Sequence, residues 1–225
     1  MPTIETPQLD LVLCLDKPYH WTSFDVVKKV RRVLKMKKVG HAGTLDPLAT
    51  GLLIVCTGKK TKTIESLMAD EKEYSGSIAL GATTASYDLE TALENQTDIS
   101  ALTDSQIRKT VKQFLGTITQ TPPIHSAIKV DGKRAYDEAR KGNEVVIKPR
   151  QVFIKEFRIE KIELPLVYFT IVCSKGTYIR TIANDFGKAL NCGGHLNSLR
   201  RERIGNYSVK DAVTPEELEA LYKPA

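Results

Sequence analysis

GHAGTLDPLATGLL, residues 40–53, stands between a run of Lys and Arg and the apolar stretch Leu52–Cys56. It holds a single carboxylate, Asp46, a single histidine, His41, and three glycines. LLIVC, residues 52–56, reads as a buried strand, so the stretch is a loop that feeds a strand. On the other side, Thr22 and Asp25 form a capping-box start. Phe24, Val26, Val27, Val30, Val33 and Leu34 follow at helical spacing. The opposite face carries Lys28, Lys29, Arg31, Arg32 and Lys35, which makes a basic amphipathic helix of about three turns.

Working outward, LVLCL (11–15) reads as a short buried strand. Residues 61–68 read as a helix and 73–81 as a strand. The polar stretch TTASYDLETALENQTD reads as a loop. Thr103 with Gln106 starts a second capped helix that runs to Leu115 and stops at Gly116. Residues 124–148 read as strand–helix–strand and are rich in Lys and Arg. FRIEKIEL and VYFTIVC read as paired strands with Pro165 in the turn. SKGTYIRTIANDFGKAL turns into a helix, NCGG breaks it, and HLNSLRRERIG is extended. Thr214-Pro215 starts a last short helix with Pro at its favoured first position. Strands and helices interleave without repeats or linkers, so the chain reads as one mixed α/β domain.

The 225 residues suffice for a buried core, and 41% apolar with 27% charged composition is that of a globular protein. No apolar run approaches the roughly 18 residues of a membrane span. The N-terminus lacks the basic start and apolar centre of a secretory signal, so a cytoplasmic location is expected. Cys14, Cys56, Cys173 and Cys192 form no CxxC pair and read as reduced, mostly buried thiols. The four histidines have no metal-ligand spacing, and no metal is expected.

Net charge is +6, and its distribution says more than the total. Residues 17–62 hold 11 Lys/Arg against two Asp, and residues 174–210 hold seven against two acids. Residues 63–104 run the other way, with nine acids against Lys72 alone. Two distant basic segments on one surface would attract a polyanion, most commonly nucleic acid. Solvated helix faces explain the same pattern equally well.

Five readings of the Asp46 loop compete. A phosphate loop needs GxxxxGK[ST], but GLLIVCTGKK has six residues between its glycines and Lys60 in the Ser/Thr place. A metal site needs several converging ligands, and a retaining glycosidase needs a second carboxylate. Neither is visible. A turn is the simplest reading, because Asp-Pro favours turn initiation. A nucleophile also remains, provided a cation keeps the carboxylate ionised. Arg180, on a distant element, suits that part through its fork of donors. The residues alone leave turn and nucleophile both open.

Six blocks in order carry a resemblance: LDKPYHWTSFDVVKKVR, KKVGHAGTLDPLATGLL, KEYSGSIALG, HSAIKVDGKRAYDEARKG, CSKGTYIRTIANDFGKAL and LRRERIG. They resemble the bacterial TruB family of tRNA pseudouridine synthases, from about Leu11 to about Leu221. The resemblance implies a pseudouridine synthase fold, an α/β (α+β) domain with a mixed, largely antiparallel central sheet flanked by helices and RNA-binding loops. It implies isomerisation of the T-loop uridine at tRNA position 55, with no cofactor. Asp46 matches the catalytic carboxylate, Tyr74 the tyrosine that packs on the target base, and Arg180 the arginine that pairs with the aspartate. Tyr178 and Leu199 match positions lining the uridine pocket. His41 matches the histidine that enters the T-loop when the base is flipped out. Lys17 and Pro18 match the pocket floor.

Lys129, Arg140 and Lys141 fall in a segment like the family's RNA-clamping insertion, around 122–150. The implied partner is the T-arm stem-loop of tRNA, bound by a monomer without membrane or guide RNA. Two departures stand out. The usual KPxGxTS block has His20 in place of Gly, which is strained if that position needs positive φ. The chain also stops after a short helix around 214–222, so a single catalytic domain over 1–225 without a C-terminal PUA domain is expected.

Overall fold

The structure, a computed structural model, describes residues 9–124, 126, 129–130, 133–134 and 147–222. Two compact units emerge: Met1–Tyr74 with Leu199–Ala225, and Ser75–Ser198. In chain order the elements are β1 (Val12–Lys17), α1 (Ser23–Leu34), β2 (Val39–His41), β3 (Ala49–Thr57), α2 (Ile64–Ala69), β4 (Lys72–Leu80), β5 (Thr83–Thr84), β6 (Leu93–Glu94), α3 (Asp104–Thr110) and β7 (Gly116–Gln120). Then come β8 (Lys129–Val130), β9 (Lys133–Arg134), β10 (Arg150–Glu163), β11 (Leu166–Cys173), α4 (Ile179–Ala189), β12 (Gly194–Ile204), β13 (Tyr207–Ser208) and α5 (Pro215–Tyr222).

In the first unit, β3 is the central strand. β1 and β2 pair with it antiparallel, and the end of β12 pairs with it in parallel at Leu199↔Ala49 through Arg201↔Gly51. Both faces of β3 are buried. Leu53 and Val55 join Leu15, Val26, Val27, Val30, Leu34 and Leu218 in one cluster. Leu52, Ile54 and Cys56 join Ala42, Ile204 and Val209 in another. This is why 52–56 is a continuous apolar run rather than an alternating one. Each such side chain contributes about 1.5–3 kcal/mol by leaving water.

α1 begins as expected. The Thr22 hydroxyl accepts from the Asp25 amide at 3.1 Å, and the Asp25 carboxylate accepts from the Thr22 amide at 3.0 Å. Its valines at 26, 27 and 30 and Leu34 are buried. Phe24 departs from the expected apolar face and is half exposed, because it sits in the first turn beyond the core. Lys28 lies 4.8 Å and Arg31 5.8 Å from its ring centre.

The second unit is held by β10, which pairs antiparallel with β11 and with β7. Phe114, Phe157, Phe169 and Phe186 interlock there, with ring centres 5.5–6.2 Å apart. α4 turns Ile179, Ile182, Ala183 and Phe186 into that core, at i, i+3, i+4 and i+7. α3 carries the expected capping box, although its last turn tightens to a 3-10 turn over Val111–Phe114. The polar stretch expected as loop contains the two-residue ladder β5–β6. Those strands are too short to show an alternating pattern in sequence. Most of the expected strand–helix–strand between 124 and 148 lies outside the described residues. Within it, β8 pairs with β9 at Lys129↔Arg134.

Candidate active site

The loop between β2 and β3 is fixed at several points. The Ala42 amide donates to the Ile54 carbonyl at 2.9 Å, which closes the β2–β3 ladder behind His41. The Ala49 amide donates to the Asp46 carbonyl at 3.0 Å, so Asp46 is the first residue of a turn over 46–49. The buried Ser23 hydroxyl, in the first turn of α1, bonds both the amide of Leu45 (2.9 Å) and its carbonyl (3.2 Å). Asp46 is therefore a turn residue by its backbone. The two readings that competed in the sequence are therefore compatible.

Two buried cations sit next to this turn. Lys17 has no exposed surface, and its ammonium donates to the carbonyls of Pro18 (3.0 Å), Trp21 (2.5 Å) and Pro47 (3.4 Å). Burial pulls its pKa down to about 8, opposed by the Asp46 carboxylate and assisted by the Arg201 guanidinium. Arg201 is 1% exposed. It spans the inside of the loop, donating from Nε to the Leu52 carbonyl at 2.7 Å and from Nη2 to the Gly43 carbonyl at 3.1 Å. Its Nη1 reaches the Thr44 carbonyl at 3.5 Å.

The strand register explains how these two groups arrive. Lys17 on β1 pairs with Gly51 on β3, and Gly51 pairs with Arg201 on β12. The three form one row across three strands. Gly51 has φ +100°, and a Cβ there would stand 2.4 Å from the Arg201 carbonyl oxygen. Only glycine fits the middle of this row.

His41 ends β2. Its Nδ1 is buried without a hydrogen-bond partner among the described residues. Burial first and the Arg201 charge second push its pKa down, against a hydrogen bond with the Gly43 backbone that raises it, so the neutral ring is favoured. Tyr74 is buried near the start of β4, and Leu199, partly buried, pairs with Ala49 three residues beyond Asp46. Lys17, His41 and Asp46 are thus gathered around one turn.

The remaining expected residues lie in the second unit. Arg180, in the first turn of α4, is 3% exposed. Its Nη1 donates to the Ser86 carbonyl at 3.2 Å, and its Nε lies 3.5 Å from Asp88 Oδ2. Both side chains of that ion pair are almost wholly buried. Tyr178 directly precedes α4. The Gln120 side-chain amide clamps its backbone from both sides, at 3.0 Å to the carbonyl and 2.7 Å from the amide. The Arg150 guanidinium lies 4.9 Å from the Tyr178 ring centre. Lys129 lies on β8; Arg140 and Lys141 fall outside the described residues.

Sequence reasoning missed Arg201, Asp88 and Gln120. Arg201 was hidden in LRRERIG, where a charged run in a strand reads as solvent-facing. Asp88 lay in a stretch read as polar loop, yet Ser86 and Asp88 are buried. Among the described residues, no group of three or more His, Cys, Asp or Glu is placed to hold a metal ion. None of the four cysteines is in a disulfide, and burial pushes Cys14, Cys56 and Cys192 up.

Residues 31–179 match the family profile described as TruB family pseudouridylate synthase (N terminal domain). Residues 180–225 match that of the tRNA pseudouridylate synthase B C-terminal domain. The chain therefore belongs to the TruB family of pseudouridylate synthases. A relative from Flavobacterium johnsoniae, named tRNA pseudouridine synthase B, is 53% identical over 209 residues, 90% of this chain and 91% of its own. One of the same name from Parabacteroides distasonis is 48% identical over 214 residues, 92% of this chain and 91% of its own. Among solved structures, a chain of a Cbf5-Nop10-Gar1 complex superposes with a TM-score of 0.74 at 30% identity. It is matched over 94% of this chain but only 54% of that one, so this chain spans about half of that structural neighbour.

Proposed function

We propose that the protein isomerises the T-loop uridine at position 55 of tRNA to pseudouridine, with Asp46 as the catalytic carboxylate. The N1–C1′ bond breaks, the uracil turns within the site, and a C5–C1′ bond forms. C5 loses a proton and N1 gains one, so the reaction is redox-neutral and consumes no co-substrate. The observation that carries this reading is the setting of Asp46. It opens a turn directly after residues 43–45, whose backbone is pinned by Ser23 and Arg201, and lies beside the buried Lys17 ammonium. A neighbouring cation favours the charged form of a carboxylate, which is the form that can attack.

The other residues take roles that follow from their chemistry. Arg180 takes the part of the family's site arginine, its guanidinium oriented by Asp88 and Ser86. Tyr74 stacks on the target base. Leu199 and Tyr178 each take the family's part of contacting the target uridine, and the Gln120 clamp keeps Tyr178 in place. His41 fills the space that the flipped nucleotide leaves. An imidazole whose pKa is pushed down suits stacking and hydrogen bonding better than a phosphate contact. The Lys- and Arg-rich segment from Lys129 onward holds the backbone of the T-arm.

The substrate is free tRNA, bound by a monomer that needs no guide RNA. The test is to incubate unmodified tRNA transcript with the protein alone and map pseudouridine at each uridine. Asp46→Asn is expected to abolish product while a T-arm stem-loop still binds. Full activity in that variant overturns the role of Asp46. Product only when a guide RNA is added overturns the free-tRNA reading.

A further inference from the structure

We infer that Tyr19 and His20 form a stacking platform for an unpaired nucleobase of the substrate other than the target uridine. Both residues are exposed, Tyr19 by 49%, and their rings lie 4.1 Å apart between centres at 55°. About half of the Tyr19 surface stays in solvent and His20 is exposed as well, so packing into the core does not account for the pair. Their mounting is rigid. The His20 amide donates to the Pro47 carbonyl at 2.9 Å, one residue from Asp46. The Lys17 ammonium holds the carbonyls of Pro18 and Trp21, which flank the pair on both sides. The same ammonium reaches Pro47. The platform and the Asp46 turn are therefore fastened to one buried group.

The backbone supplies a second line of reasoning. His20 has φ +65°, a conformation that glycine adopts freely and histidine only under strain. Glycine here would relieve that strain, yet the chain carries an exposed imidazole that contributes nothing to the core. Strain kept beside a reacting group points to a use for the side chain. Given that the enzyme acts on a T-loop, as proposed above, flipping one nucleotide leaves its unpaired neighbours with open faces. Every base has such a face, and aromatic side chains bind it without regard to sequence. The basic face of α1 begins at Lys28, eight residues beyond His20, and suits the adjoining phosphates.

The test uses a T-arm stem-loop and the variants His20→Gly, Tyr19→Ala and Tyr19→Phe. His20→Gly removes the ring and the strain together, so its melting temperature should equal or exceed that of the wild type. Its KM, and its Kd in an Asp46→Asn background, should rise about tenfold, with kcat changed much less. Tyr19→Ala should do the same, and Tyr19→Phe should keep wild-type affinity. Stem-loops with a single abasic site at each unpaired position identify the base. At the contacted position wild type and His20→Gly should bind equally. Unchanged KM and Kd in both His20→Gly and Tyr19→Ala overturn the platform. A wild type inactive on every stem-loop and tRNA overturns the activity itself, which is a separate result.

Discussion

Replacing Arg201 with Met separates the loop's anchoring from the chemistry of Asp46. The change keeps a long apolar stem and removes three donors. The Leu52 and Gly43 carbonyls, now 2.7 and 3.1 Å from the guanidinium, lose their partner, and so does the longer contact to Thr44 at 3.5 Å. A hydrogen bond to a charged group contributes about 1.5–3 kcal/mol. Two good ones total about 3–6 kcal/mol, and burial of a cation that no longer has to be desolvated offsets part of this. A net loss of about 3 kcal/mol is expected, or a fall of roughly 6–12 °C in melting temperature for a protein of this size. Arg201→Lys, which can serve one or two of the carbonyls, should fall between. The kinetic effect should be larger than the stability effect suggests. Residues 43–46 would lose their inner tie, and a shift of about 1 Å at a reacting group costs on the order of 100-fold. Single-turnover rates on a T-arm stem-loop at 25 °C, well below the melting transition, read this directly. A folded Arg201→Met protein with a rate within twofold of wild type would refute the view that this guanidinium positions the loop.

Lys17 makes stability depend on alkaline pH. Its folded pKa is about 8 against 10.5 for a free lysine, so between those values the unfolded chain binds more protons than the folded one. Wild-type stability should therefore rise with pH across that window, relative to Lys17→Met, in urea titrations. A difference that stays flat, or reverses, would remove Lys17 as the cause. Gly51→Ala should cost about 3 kcal/mol through backbone strain and overpacking together, since its Cβ would meet the Arg201 backbone at 2.4–2.7 Å. Gly116→Ala is the control, with φ +81° but nothing within 4 Å of the new Cβ, so it should cost strain alone. Equal urea midpoints for the two variants would show that the close approach at Gly51 is unimportant.

Much of this architecture was legible because local rules and packing agree in it. The capping boxes at Thr22 and Thr103 formed as read, and so did the strand over the continuous apolar run 52–56. The strained backbone at His20, inferred from a missing glycine, is present at φ +65°. What was not legible depends on pairing between distant segments. Arg201 is buried because β12 runs parallel to β3 at a particular register, and no local pattern encodes that register. Asp88 is buried by the strand that follows α4: the Leu196 amide bonds the Tyr87 carbonyl at 2.9 Å, more than a hundred residues away in sequence. Phe24 failed in the opposite direction, since apolar spacing in a first turn says nothing about whether the core reaches that far. The loop of Asp46 was identified by its resemblance to a family, while the reason it is rigid came only from the strand row.

That row, Lys17–Gly51–Arg201, also orders events during synthesis. Its first two members emerge from the ribosome early, and the third follows 150 positions after Gly51. Nascent chains grow at roughly 5–20 residues per second, so the Asp46 loop lacks its inner tie for about 8–30 s. A chain halted before residue 201 would carry the basic helix, His41 and Asp46 but no rigid loop between them. Such fragments would collect RNA on their positive surface without converting it. Assembly of the site is in this sense a proofreading step on the protein itself: catalytic competence is granted only to chains that have been translated past residue 201.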